Sequence, residues 1–180
     1  MQSALEEVGG DLHIFDNYPL GGVELLALRG VGGSVQIDGH PWLDELRMPA
    51  LESVTGDLFL RENAVLEQLS LAALEEVAGS LWLRYLDALV DLDLNSLTTV
   101  GSDLWVSGNL ALADFALPSL RLVGAELFVG ANPALQQVTV AALTDAGGLR
   151  ITSNPLLDDL QMPQLRDMVS LPGGVRVPSC

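Results

Sequence analysis

The chain repeats itself. Setting Gly10-Asp11-Leu12-His13-Ile14 over Gly33-Ser34-Val35-Gln36-Ile37 opens a register that returns at Gly56, Gly79, Ser102, Ala125, Gly147 and Gly173. The spacing is 23 residues five times, then 22, then 26. A fixed period of this length marks a solenoid, in which one unit cannot bury its apolar face alone and stacking makes the core.

Counting each repeat's first residue as position zero, positions two and four are apolar in all eight copies, from Leu12 and Ile14 to Val175 and Val177. Positions ten, thirteen, fifteen and eighteen are apolar in all seven complete copies, as in Leu66, Leu69, Leu71 and Leu74. With 49% of residues apolar, chance would fill all these sites with a probability on the order of 10⁻¹⁴.

Each copy holds two short pieces of alternating polarity. The first is Asp57-Leu58-Phe59-Leu60-Arg61; the second is Leu69-Ser70-Leu71 or Leu46-Arg47-Met48. Alternation turns positions two and four inward and positions one, three and five outward. A corner such as Asn63-Ala64-Val65-Leu66 joins the pieces, and a return such as Met48-Pro49-Ala50-Leu51-Glu52-Ser53-Val54 closes the coil. That return has room for no more than about one or two helical turns. The expected fold is one mainly-β domain over residues 1–180: a right-handed, leucine-rich-repeat-like β-solenoid of about eight 23-residue coils with a parallel main sheet.

The pattern Val-x-Gly-x-Leu-x-Leu-x-x-Asn-x-x-Leu-x-x-Leu-x-Leu-Pro-x-Leu, visible from Val54-Thr55-Gly56 through Asn63, resembles the receptor L-domain family. Those are the leucine-rich-repeat-like β-solenoids of receptor ectodomains and of bacterial and fungal surface proteins. Asn-x-x-Leu in place of Asn-x-Leu separates the chain from ordinary leucine-rich repeats. The resemblance implies a non-enzymatic recognition or display module, extracellular or at the cell surface, without fixing its ligand. Leu5 and Val8 already occupy late-coil positions, and Val175, Val177 and Cys180 begin a coil that does not close. Both terminal caps are therefore expected to lie outside this stretch, as in a portion of a larger secreted or surface protein.

Composition narrows the function classes. The chain carries 24 acidic and eight basic residues, all eight Arg, for a net charge of −16. That balance opposes phosphate-backbone binding and a polybasic membrane patch, so no nucleic-acid partner is expected. No run approaches the roughly 18 apolar residues of a membrane helix, so no membrane insertion is expected. The first twenty residues show neither a basic segment nor an apolar one of signal-peptide type. One cysteine, Cys180, makes no disulfide framework within the chain. No phosphate loop, His-Glu-x-x-His, Gly-x-Ser-x-Gly or Cys-x-x-Cys motif is present. No cofactor, metal or catalytic residue is expected.

Two columns stand out. Position seven reads Asn17, His40, Asn63, Leu86, Asn109, Asn132, Asn154; stacked amides there are expected to satisfy backbone groups that the corner buries, with His40 substituting within the ladder. The acidic residues at positions eleven and twelve, among them Asp44, Glu45, Glu67, Asp91, Asp114, Asp158 and Asp159, form a solvated edge with no calcium-loop pattern.

Position three is the anomaly. It reads His13, Gln36, Phe59, Trp82, Trp105, Phe128, Arg150, Arg176, so four successive rungs put aromatics on the outer face. Position one supplies Asp57, Ser80, Asp103 and Glu126 on one flank; position five supplies Arg61, Arg84, Ser107 and Gly130 on the other. The aromatic column would run ~14 Å and expose roughly 300–500 Å². Phe59, Trp82, Trp105, Phe128, Arg61 and Arg84 are the expected ligand-binding residues for a protein or glycan. The arginines would lie over rings as cation–π partners or reach a ligand by hydrogen bonds. Two alternatives stay open: a structural or assembly solenoid whose aromatic face packs on a second copy or a neighbouring domain, and a β-solenoid carbohydrate-active enzyme. A ladder that only stabilises the sheet is a further reading of the same column.

Overall fold

The computed structural model describes residues 4–164; the repeat at Gly173, Arg176 and Cys180 lie outside the described residues. The chain winds into a parallel β-solenoid of about seven turns, and every regular element among the described residues is a strand. The first coil carries β1 (Glu7–Val8), β2 (Leu12–Phe15) and β3 (Gly22–Glu24). The next four coils repeat that triplet as β4 (Gly30–Val31), β5 (Val35–Asp38), β6 (Glu45–Arg47); β7 (Ser53–Val54), β8 (Leu58–Arg61), β9 (Gln68–Ser70); β10 (Glu76–Val77), β11 (Leu81–Arg84), β12 (Asp91–Asp93); and β13 (Thr99–Val100), β14 (Leu104–Ser107), β15 (Asp114–Ala116). In the last two coils the first pair fuses, giving β16 (Leu122–Gly130) with β17 (Gln137–Thr139), and β18 (Asp145–Thr152) with β19 (Asp159–Gln161).

Each coil is therefore three-sided. The return, for which the sequence allowed a turn or two of helix, instead ends in a two-residue strand that pairs with its counterparts above and below, as Val54 does with Val31 and Val77. With Pro and Ala in the return and an apolar residue fixed at its end, the backbone finds its hydrogen-bond partners in the adjacent coils rather than within itself. The main sheet stacks in strict register: Leu58, Leu81, Leu104 and Leu127 align, as do Phe59, Trp82, Trp105 and Phe128.

The core is the set of inward positions. Leu58, Leu60, Leu66, Leu71 and Leu74 of one coil are all fully buried, with Leu69 almost so, and the same columns continue above and below as one cluster. In the first coil Leu12, Ile14, Leu20 and Leu25 are only partly buried. The 22-residue spacing seen in sequence is absorbed locally: Val123 pairs with Ala146, but Glu126 pairs with Gly148, a bulge that leaves the main sheet in register beyond it.

Two lateral ladders tie the coils. Asn109 Oδ1 accepts the N–H of Leu86 at 3.0 Å while its Nδ2 donates to the carbonyl of Leu83 at 3.0 Å. Asn63, Asn132 and Asn154 reach the preceding coil in the same two ways. His40, fully buried, sits between Asn63 Oδ1 at 3.2 Å and Asn17 Nδ2 at 3.4 Å, a member of this ladder. At position one, Asp11, Asp57 and Asp103 each use Oδ1 to accept the backbone N–H of the next coil, at 2.7, 2.7 and 2.9 Å.

The residue before each corner asparagine or its substitute is left-handed in every coil: Asp16, Gly39, Glu62, Tyr85, Gly108, Ala131 and Ser153 all have φ between 48° and 75°. Gly108 is needed twice over, because a Cβ there would also meet the Tyr85 ring at 2.7 Å.

The second side is interrupted. Its strands form one sheet of β3, β6, β9 and β12 and another of β15, β17 and β19, with no pairing between β12 and β15. The break falls where Phe115 stands in a column otherwise filled by Val23, Leu46, Leu69, Leu92, Val138 and Leu160. Phe115 is buried, whereas Leu92 beside it is only partly so. The break thus coincides with the one aromatic ring in a column of otherwise aliphatic side chains.

Candidate functional site: an aromatic and arginine column on the main sheet

Strands β8, β11, β14 and β16 each present one aromatic side chain outward between two buried aliphatic residues, so the column follows directly from in-register parallel pairing. Ring centroids are separated by 4.7 Å from Phe59 to Trp82, 5.7 Å from Trp82 to Trp105 and 4.8 Å from Trp105 to Phe128. These are contact distances for offset or tilted rings. Each ring therefore spends much of its face on its neighbours, and all four side chains are half-buried although they point away from the core. The indole N–H groups of Trp82 and Trp105 are buried and have no acceptor among the described residues.

Arginines cover the column. Arg61 lies over Phe59 at 5.3 Å from Cζ to the ring centre, and Arg150 over Phe128 at 4.6 Å. Arg84 sits amid three rings: Trp82 at 5.6 Å, Trp105 at 5.4 Å and Tyr85 at 5.2 Å. Such contacts contribute about 0.5–1 kcal/mol each where exposed and more where water is excluded.

The three cations differ in their counter-charges. Arg61 donates to both oxygens of Asp38, through Nη2 at 2.5 Å and Nε at 3.3 Å. The Asp38 hydrogen bond raises the pKa of Arg61 against the opposing effect of partial burial. Arg150 pairs with Glu126 at 2.8 Å. Arg84 donates to hydroxyls, Ser107 Oγ at 3.2 Å and the Tyr85 phenol at 3.3 Å, and among the described residues it forms no ion pair. The centre of the column thus holds a cation solvated by aromatic faces and neutral oxygens.

The structure brings together all six residues that the sequence singled out: Phe59, Trp82, Trp105, Phe128, Arg61 and Arg84 form one continuous surface. It adds Tyr85, Asp38 and Arg150, which complete the arginine environments. The signal for Asp38 was available, since it stands one period before Arg61 in the position-five column. Tyr85 carried no such signal, because its place over the next coil depends on the left-handed turn at position six.

Next to the column, Phe15, Asp16, Asp38, Gly39, Arg61 and Glu62 line an open recess of about 300 Å³. Among the described residues, no three His, Cys, Asp or Glu side chains converge as metal ligands would, and no helix is long and apolar enough to cross a membrane. No family model, curated protein or solved structure matches this chain.

Proposed function

We propose that this protein is a non-enzymatic recognition module that binds a macromolecular partner, protein or glycan, on the outer face of its main sheet. The contact is centred on Phe59, Trp82, Trp105 and Phe128, with Arg61 and Arg84 alongside. The observation that carries this reading is Arg84, a half-buried guanidinium amid three rings with no carboxylate partner among the described residues. Its ring contacts help hold the column together, and the charge they leave without a counter-ion is one that an acidic group on a partner would balance.

A protein partner fits better than a sugar. Stacking on a sugar ring needs an open aromatic face, and here the faces are turned onto one another and onto arginines, leaving edges outward. The resemblance of the repeat to the receptor L-domain pattern supports the same class of function and a place outside the cell or at its surface. The contrasting reading, a ladder that only stabilises the sheet, draws on the same close ring contacts.

Acrylamide quenching of tryptophan fluorescence separates them. Trp42 is 62% exposed and would dominate the signal, so the measurement uses Trp42→Phe at a concentration where sedimentation shows monomer. Efficient quenching of Trp82 and Trp105 is expected for a surface open to a partner. Quenching no better than that of a core tryptophan sinks the recognition reading.

A further inference from the structure

We infer that the partner this face fits is a second copy of the chain, docked about a two-fold axis that runs along the solenoid. The inference rests on the recognition reading above and names the occupant of that same surface.

The face is electrically lopsided in one direction only. Position one, before the ring, carries Asp11, Asp57, Asp103 and Glu126 and no base; position five, after it, carries Arg61 and Arg84, with Asp38 as its one carboxylate, already paired with Arg61. The two edges are separated by four residues, ~13 Å. Two isologous arrangements can bring such a face onto itself. An axis parallel to the strands sets acidic edge on acidic edge. An axis parallel to the stack reverses strand direction, keeps coil opposite coil, and lays each acidic edge over the other copy's basic edge while ring column meets ring column. Only the second is complementary.

Arg84 shows what that contact would complete. Arg61 and Arg150 are paired with carboxylates, and Arg84 has none among the described residues. Of its five N–H donors, one goes to Ser107 and one to Tyr85. About the stack-parallel axis, Arg84 lies opposite Ser80 of the second copy, with Asp57 and Asp103 of that copy one rung to either side, ~4.8 Å away. Both carboxylates commit Oδ1 to a backbone N–H of their own chain, and Oδ2 has no partner among the described residues. Arg150 falls near its own counterpart, but each copy's Arg150 is already neutralised by Glu126.

The area sets the strength. Seven rungs of four residues give a flat footprint of about 380 Å² per copy, roughly half of what a stable complex buries per partner, so the dimer is reversible rather than obligate.

The test is sedimentation equilibrium of the full chain from tens of micromolar to millimolar, with acrylamide quenching of the Trp42→Phe variant at the same concentrations. The expected result is a mass that doubles with concentration, indole quenching that falls in step, and a dimer constant weakened about tenfold in Arg84→Gln but largely kept in Arg84→Lys. Circular dichroism melting of each variant establishes that the fold persists. A monomer at millimolar concentration with open indoles overturns self-docking and leaves the face to a different partner. A monomer whose indoles stay shielded at every concentration overturns self-docking and the recognition reading together. A dimer indifferent to Arg84→Gln, with unchanged quenching, overturns the inference by placing the contact elsewhere.

Discussion

The corner asparagines convert the most awkward part of each coil into its strongest link. A buried turn strands one N–H and one carbonyl, and a side-chain amide one coil later takes both. Replacing Asn109 with Leu keeps the volume but leaves the Leu86 N–H and the Leu83 carbonyl unpaired in the core, which should cost about 2–4 kcal/mol in a urea titration. Leu86 is the natural break in this ladder; it is fully buried, and the N–H of Asn63 has no acceptor there. Leu86→Asn gains two hydrogen bonds and loses aliphatic burial of similar size, so its stability should stay within about 1 kcal/mol of the parent. A loss of several kcal/mol would show that the amide geometry does not transfer. Columns of this kind were legible in sequence because the period puts identical tasks at identical positions, as with Asn63, Asn109 and Asn132. The left-handed residues were not, since Asp16, Glu62, Tyr85, Ala131 and Ser153 share no side-chain chemistry. Their common backbone is imposed by the corner, against an intrinsic cost of about 1–2 kcal/mol per residue.

At the scale of strands, the main sheet and the second side behave differently. The main sheet runs through all seven coils, whereas on the second side β12 and β15 do not pair with each other. Leu71 donates its N–H to Asp93, and Leu117 donates to Thr139, yet the equivalent Leu94 finds no acceptor in the next coil. Native-state hydrogen exchange should therefore be faster at Leu94, Ala113 and Asp114 than at Leu71, Leu117 and Gln136. If Phe115 wedges the strands, Phe115→Leu should slow exchange at Leu94 towards its counterparts; exchange that stays fast would assign the gap to another cause. Nothing in the sequence marked this gap, because Phe115 satisfies the apolar pattern as well as leucine does and differs only in volume. The third strand of each coil escaped for a simpler reason: two residues such as Glu76–Val77 are too few to show alternation. Four of the five ion pairs among the described residues join residues 23 or 24 apart, so neighbours in the charge columns were readable once the period was known. The choice between Asp38-paired Arg61 and hydroxyl-bound Arg84 was readable in the same way, from Asp38 one period before Arg61 and Ser107 one period after Arg84.

For the molecule as a whole, stacking in register has an electrostatic cost, since like charges recur at the rung spacing. Glu67 stacks on Asp44 and Glu75 on Glu52, each donating its backbone N–H to the carbonyl of the acid one coil before. With a net charge of −16 and few ion pairs, screening should outweigh the loss of those pairs. Raising salt from 10 to 300 mM should therefore stabilise the protein by about 1 kcal/mol, read as a higher urea midpoint. A midpoint that falls would mean the exposed pairs, such as Arg29 with Glu52, matter more than the repulsion. The amide ladder, finally, has a direction in its backbone bonds: Asn63, Asn109, Asn132 and Asn154 each donate to a carbonyl of the coil before, and among the described residues none of them bonds the backbone of the coil after. A duplicated coil spliced in between two asparagine coils receives the bonds its predecessor received and supplies the bonds its successor needs. Gain or loss of whole 23-residue units is thus seamless at the corner, so this architecture can change its length in evolution by copying alone, without inventing a new junction.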